Sequence, residues 1–510
     1  MSEHSKPARV SRRHALRLGG AAVLGGALAG TVWTEHSGGT SAAAVGLRPG
    51  LPILSAVAAP PSGEIQHYLS APGLSPATVD VGKAARLPGL IFMDNHAGTS
   101  QQGPMILDGS GQLVWFSPLS TGGVYDPRAF NVSVQRYRGE PVIAYFEGAV
   151  VDGHGQGNYV LLDASYRPIR RIYAGNGYLG DLHEFFLTPR GTAIFTCYGQ
   201  SNADLRPYGG KAGAPYYYGV AQELDLSTGK VIFQWRSDEH VPLADSYAPL
   251  PAGSPWDYLH INSIAIAEDG HFLISARNTW TVYKVHRHTG KILWRMGGKH
   301  SDFRFGAGAR FAWQHHAVQR AAQTWTVFDN GTGWYVTEPY SRGLVLNVDE
   351  GARTVDLVHA YTYPGTPIRA AALGSVQPLP GGGVFIGWGT GAAYSAYDAS
   401  GSVGAYGRSA GPHVESYRAF VSEWVGRPAT PPALAASRGH LYTSWNGATE
   451  VATWLVLAGA SPSQLGQVGK VPKLGFETVI TLPGQYEWAA VVPIDSRGRS
   501  LGRSATVRVV

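Results

Sequence analysis

The feature that most constrains this chain is a short turn that returns six times. An apolar strand ends in a polar residue, a small turn rich in Gly and Ser follows, and the chain re-enters a strand that often carries Trp. The copies are Leu107-Asp108-Gly109-Ser110-Gly111 before Val114-Trp115, Leu162-Asp163-Ala164-Ser165 before Ile169, and Leu224-Asp225-Leu226-Ser227-Thr228-Gly229 before Trp235. Val285-His286-Arg287-His288-Thr289-Gly290 before Trp294, Leu346-Asn347-Val348-Asp349-Glu350-Gly351 before Val355, and Tyr397-Asp398-Ala399-Ser400-Gly401 complete the set. The anchors 108, 163, 225, 286, 347 and 398 lie 55, 62, 61, 61 and 51 residues apart. A second hairpin falls between anchors, at Gln135–Gly139 before Val142, Leu187–Gly191 before Ala193, Ala267–Gly270 before Phe272 and Gln377–Gly381 before Val384. Two hairpins per period make four strands, and a period somewhat above ~45 residues is that of a propeller blade with long loops. The spacing therefore predicts an all-β chain centred on a six-bladed β-propeller over residues 85–425, in which radial packing protects strand edges that an open sheet would expose.

The rest of the chain divides around that block. With 510 residues it exceeds one ordinary core, and its 67 Gly and 33 Pro favour short strands and tight turns over long helices. Gly426-Arg427-Pro428-Ala429-Thr430-Pro431-Pro432 reads as a linker. Beyond it, Tyr442–Trp445, Val451–Val456 and Tyr486–Val492 alternate or run apolar between turns, which predicts an immunoglobulin/fibronectin-like β-sandwich over 426–510. Residues 45–84 read as a Pro/Ser/Ala-rich arm leading into the first blade. At the start, Ser11-Arg12-Arg13 precedes an apolar Gly/Ala/Leu run from Leu18 to Gly30 and a small-residue stretch ending at Ala44. That order predicts a twin-arginine signal peptide over 1–44, hence an exported, extracytoplasmic protein without stable membrane insertion after leader removal. The leader carries Lys6, Arg9, Arg12, Arg13 and Arg17 against Glu3 and Glu35, so it holds half of the net charge of +6 and no nucleic-acid surface is indicated. Cys197 is the only cysteine, so the monomer forms no disulfide and holds together by burial.

Three segments bring histidine to the same place in successive repeats: Asp181-Leu182-His183-Glu184-Phe185-Phe186, Trp256-Asp257-Tyr258-Leu259-His260-Ile261-Asn262, and Phe311-Ala312-Trp313-Gln314-His315-His316-Ala317. A lone histidine beside aromatics is usually a hydrogen-bonded core residue. Three at equivalent positions, in a fold whose inner strands converge on one axis, face a common funnel. Arg277 follows on the strand after His260, where a guanidinium without an anionic partner is costly to bury. Imidazoles, the Asn262 amide and the Arg277 cation together suit an oxyanion of sulfate or phosphate type. Trp256, Trp280 and Trp313 are open to two readings, as walls of an aryl pocket or as buried propeller tryptophans.

Asp181–Thr192, Leu259–Ser263 with Ser275-Ala276-Arg277, and Trp313–Ala317 with Phe328-Asp329-Asn330-Gly331 resemble the bacterial arylsulfotransferase family, in its actinobacterial and fungal-like branch, across most of residues 85–425. The resemblance implies transfer of a sulfuryl group from a phenolic sulfate ester to a phenol through a sulfated histidine, without a nucleotide sulfate donor. It implies His315 as nucleophile with His316 the close rival, and His183, His260 and Arg277 as further catalytic groups. Asn262, His316, Trp313 and Asn330 would bind substrate. The expected partners are a small aryl sulfate and a phenol; no cofactor and no metal is expected.

Two other classes compete. A quinone-cofactor propeller generally needs acidic metal ligands and often a cysteine pair, which Cys197 alone cannot form. A non-catalytic propeller that captures an anionic or aromatic ligand makes a weaker demand on the histidines. Glycosidase chemistry lacks a facing carboxylate pair near the histidine segments, and zinc is disfavoured by their irregular context and the adjacent arginine.

Overall fold

The computed structural model describes residues 46–60, 63–98, 100–120, 127–411 and 413–509. The expected signal peptide lies outside the described residues. What is described is all-β, with four single-turn 3-10 segments. Among these residues no helix is long and apolar enough to cross a membrane.

The recurring turn has one physical construction. Asp108 Oδ1 accepts hydrogen bonds from the backbone N–H and the hydroxyl of Ser110 and from Gln112 N–H. Asp163, Asp225 and Asp398 repeat the arrangement with the serines two residues on. A short side chain that folds onto its own backbone reverses the chain without outside help. In the fourth copy His286 Nδ1 takes the acceptor's place, toward the N–H groups of His288 and Thr289. In the fifth the duty passes from Asn347 to Asp349, which accepts from Ala352 N–H. Asp495 builds the same turn near the C-terminus, so the device is not confined to the repeat.

Each period supplies antiparallel strands joined in sequence. Ile261–Ile266, Phe272–Ala276, Thr281–Val285 and Ile292–Gly297 form one four-stranded sheet in chain order. His315–Gln319, Thr324–Asp329, Arg342–Asp349 and Thr354–Tyr361 form the next, edged by Arg304–Phe305. The two preceding periods, from Arg128–Tyr137 to Val231–Arg236, are linked into a nine-stranded sheet through the Gly180 to Gly157 pairing. Apolar residues of facing sheets close the gaps between them: Val282, Trp294 and Met296 of one meet Val327, Leu344 and Leu346 of the next.

The first strands of these sheets are also tied to one another by polar side chains. Gln135 Nε2 donates to Phe185 O and its Oε1 accepts from Leu187 N–H, while Gln377 makes the same pair of bonds to Val421. Asn262 Nδ2 donates to Gln314 O at 2.6 Å. Arg418, 2% exposed, donates to Glu184 Oε1 and Oε2 at 3.0 and 3.1 Å and to Asn262 O at 3.1 Å. Tyr417 Oη–H donates to His183 O. Strands far apart in sequence thus share one buried polar centre.

Strands from both ends of the chain enter the same sheets. Ala419–Ser422 pairs with Leu90–Asn95, and Val79–Lys83 pairs with Val403–Ser409. The stretch read from sequence as an arm is therefore partly strand, since Ala56–Ala58 also pairs with Thr478–Thr481. The C-terminal region supplies one four-stranded sheet and three strands of another, which Ala56–Ala58 completes, around an apolar cluster that includes Leu441, Trp454, Val456, Ile480 and Val491.

Candidate active site

The ladders break at His183 and at His315–His316, and just after His260. The register shifts between Gly180 and Phe185, between Ile261 and Ser263, and between His315 and Val318. Such bulges turn a side chain out of the strict alternation of a strand. His260, Trp313 and His316 have φ of 55°, 57° and 48°, left-handed values that are costly for bulky residues. Left-handed backbone thus occurs at three of the chemistry-bearing residues.

These bends bring together His183, His260, Arg277 and His315. His183 Nδ1–H donates to Asp181 Oδ2 at 2.7 Å, and His260 Nδ1–H to Asp257 Oδ2 at 2.5 Å. The free edges of the two rings then meet, Nε2 to Nε2, at 3.1 Å. Asp181 is anchored by Gly155 N–H and Thr196 Oγ–H. Arg277 stacks over Trp313, 5.0 Å from the ring centroid, and donates to Asn278 Oδ1 and Ala371 O, both at 2.9 Å. Its Nε is buried without a partner. His315, fully buried, donates from Nδ1 to Asn330 Oδ1 at 2.7 Å, with Trp313 O a second acceptor at 3.2 Å. The lone pair therefore resides on Nε2, which accepts Leu373 N–H at 3.2 Å.

The remaining sequence candidates hold other positions. Asn330 locks the His315 tautomer and ties down the segment above it, donating to Ala370 O and Leu373 O. Trp313 is wholly buried under the guanidinium, its indole N–H bound to Tyr335 O. The Asn262 amide nitrogen is committed to Gln314 O, and its Oδ1 is buried without a partner. His316 lies apart from His315: its Nδ1 accepts Val376 N–H, and it lines a cavity of about 330 Å³ with Glu184, Arg418 and Phe420. Trp280 stacks on Tyr247 at 3.7 Å and helps line a separate cavity of about 250 Å³, whereas Trp256 is buried.

Electrostatics divide the cluster into roles. Burial, aided by the Arg277 charge, holds the His315 pKa well below the ordinary imidazole value, so the ring is neutral at physiological pH. Burial lowers the Arg277 pKa to about 10, which still leaves a full cation. Burial lowers that of His260 to about 4 against the opposing pull of Asp257. Asp181 and Asp257 resist burial and remain ionised, Asp181 with its pKa at about 2, because histidines surround them.

A family model for arylsulfotransferase (ASST) matches residues 133–407. The chain belongs to the arylsulfotransferase family. No curated protein matches it. Among solved structures, it resembles a protein of unknown function from Bacteroides caccae at 13% identity, over 65% of this chain and 98% of that one, with TM-score 0.39. It also resembles a virginiamycin B lyase from Staphylococcus aureus at 7% identity, over 79% and 99%, with TM-score 0.32.

In this cluster, sequence reading missed the orienting carboxylates, although Asp-x-His at 181–183 and Asp-x-x-His at 257–260 were visible. The same pattern at Asp94-Asn95-His96 gives a further buried pair, at 2.6 Å. His154, at the start of its own strand, carried no local signal; its Nε2 reaches Asp257 Oδ2 at 3.0 Å from 103 residues away. His154, Asp257 and His260 are also the one group among the described residues with metal-ligand character. Two ligands each ~2.0 Å from a tetrahedral ion stand about 3.3 Å apart. Here both nitrogens close on a single oxygen, at 2.5 and 3.0 Å, so hydrogen bonds account for the cluster.

Proposed function

We propose that this protein transfers a sulfuryl group from an aryl sulfate ester to a phenol, with His315 as the nucleophile and no nucleotide sulfate donor. The observation that carries this reading is the preparation of His315: a neutral, buried imidazole with its tautomer held by Asn330 and Trp313 O, beside the Arg277 cation and the rings of His260 and His183. In the first half-reaction Nε2 attacks sulfur as the aryl oxygen leaves, and Arg277 stabilises charge on the sulfuryl oxygens. The proton between His183 and His260 passes to the departing phenolate. In the second half-reaction the acceptor phenol returns a proton to that pair as its oxygen displaces Nε2. Leu373 N–H must release Nε2 before attack. The setting is a six-bladed propeller over residues 85–425 with a C-terminal β-sandwich, exported through the twin-arginine route.

The engagement of Nε2 by Leu373, and of Arg277 by Ala371 O, favours a second reading in which the site binds an anionic or aromatic ligand without reaction. Incubation with 4-nitrophenyl sulfate and excess phenol, followed by intact-mass analysis of the wild type, His315→Ala and His316→Ala, separates the two. Phenol-dependent nitrophenol release with a transient sulfuryl adduct, lost in His315→Ala, supports transfer; no release and no adduct across several aryl sulfates leaves the binding reading.

A further inference from the structure

We propose that His154, which touches neither ring edge facing the substrate, is a positioning residue that sets the proton affinity of the His183–His260 pair by sharing the carboxylate of Asp257. This rests on the transfer reading for its catalytic meaning, though not for its physical test.

The argument is a count of protons. His183 Nδ1 and His260 Nδ1 each face a carboxylate oxygen, so each carries a hydrogen. Their Nε2 atoms stand 3.1 Å apart, a distance that two facing lone pairs do not keep unless one proton lies between them. The pair is thus one imidazole and one imidazolium, holding a single transferable proton. Whether that proton is given up readily depends on how strongly the negative charge of Asp257 supports it. His154 Nε2–H donates to the same Oδ2 that His260 uses, so the two histidines compete for one charge.

His154 is equipped to win that competition. It is 3% exposed, stacked on Tyr198 at 3.9 Å and edge-on to Tyr217 at 4.6 Å, and its Nδ1 is buried without a partner, free to take a second proton. Burial opposes that charge, yet Asp257, Asp181 and Asp152 together raise the His154 pKa above the ordinary value. Tyr198 and Tyr217 stay neutral, and the basic groups around His260 and Asp257 are His154, the His183 ring and the Arg277 guanidinium, which also feels the Asp257 charge and is unchanged by substitution of His154. A charged His154 repels the proton that the pair shares and draws off part of the Asp257 field. The pair becomes the stronger acid, as protonation of a departing phenolate requires.

The test is His154→Gln. The Gln amide keeps a donor to Asp257 and removes the titratable charge, so His260 gains proton affinity. The pair must be protonated to act as acid, so the rate falls as pH rises through its pKa. The variant should move that alkaline limb of kcat/KM for 4-nitrophenyl sulfate upward by at least half a pH unit. An equal loss of rate at every pH would show a merely structural role and overturn the inference. If no variant or wild type transfers sulfate, the functional reading fails alone, because side-chain NMR titration of the wild-type histidines still decides the question. His154 is expected to protonate at a higher pH than His260; a His154 ring that stays neutral while His260 titrates overturns the proposal, even if His154→Gln does not fold.

Discussion

Replacing Asn330 tests the preparation of His315 as the proposed nucleophile most directly. Asn330 is fully buried; its Oδ1 takes the His315 Nδ1–H at 2.7 Å, and its Nδ2 serves Ala370 O at 2.8 Å and Leu373 O at 3.0 Å. In Asn330→Ala the Nδ1–H loses its nearer acceptor and keeps only Trp313 O at 3.2 Å, so the tautomer that leaves the lone pair on Nε2 is held more weakly. Weakening that bond and removing the Asn330 donor from Ala370 O and Leu373 O costs about 1–3 kcal/mol, which corresponds to a fall in kcat/KM of roughly 5- to 150-fold if the whole cost is borne in the transition state. The ring stays neutral, so the pH profile keeps its shape. Asn330→Asp acts differently: a carboxylate favours the imidazolium, raises the His315 pKa and introduces an acid limb, since the ring attacks only when neutral. The assay is nitrophenol release from 4-nitrophenyl sulfate with excess phenol, from pH 5 to 9, beside thermal melts that confirm folding. A folded Asn330→Ala protein with wild-type kcat/KM would refute the claim that this amide prepares His315.

Three further outcomes follow from the same geometry. Arg418→Met leaves the Glu184 carboxylate buried and unpaired, and should cost about 3–5 kcal/mol of stability by denaturant titration; a loss below about 1 kcal/mol would refute it. Asp181 and Asp257 have folded pKa values below the unfolded carboxylate value, so their stabilisation is complete above about pH 4 and is lost as pH falls toward about 2. Melting temperature should drop across that window more steeply in the wild type than in Asp181→Asn, and parallel curves would count against it. Exhaustive dialysis against EDTA should leave sulfuryl transfer unchanged, and full loss restored by a metal ion would overturn the hydrogen-bonded reading of His154, Asp257 and His260.

What the sequence disclosed depended on whether a signal was local. The turns at 108, 163, 225 and 398 were legible because an Asp and a Ser two residues apart build them unaided. The fifth anchor was placed at Asn347 although Asp349 does the capping, since both residues stand in one polar stretch. The gathering of His183, His260, Arg277 and His315 was legible because the repeat gives equivalent residues equivalent places. His154 was not, because its partner is 103 residues away and its neighbours Gly153 and Gly155 mark only a turn. The segment from Ala370 to Leu373 was equally silent: it acts through backbone atoms, which sequence does not distinguish. The strands at Ala56–Ala58 and Val79–Lys83 were too short to show a period and are fixed by distant partners.

Those distant partners also bear on how the chain reaches this state. The pairing of Ile91 with Val421 encloses nearly the whole repeat block, and Val79 with Ser409 encloses almost as much. Loop-closure entropy grows only with the logarithm of length, about 0.6 kcal/mol per doubling, so such pairings cost little at equilibrium. They govern timing instead, because contacts so remote in sequence slow folding. A nascent chain that has made residues 90–400 still presents Leu90–Asn95 as an open edge, ready to pair with a neighbour. Only when residue 422 has emerged can the protein cover that edge itself, so a truncation a few residues short of it should aggregate, however complete the candidate site.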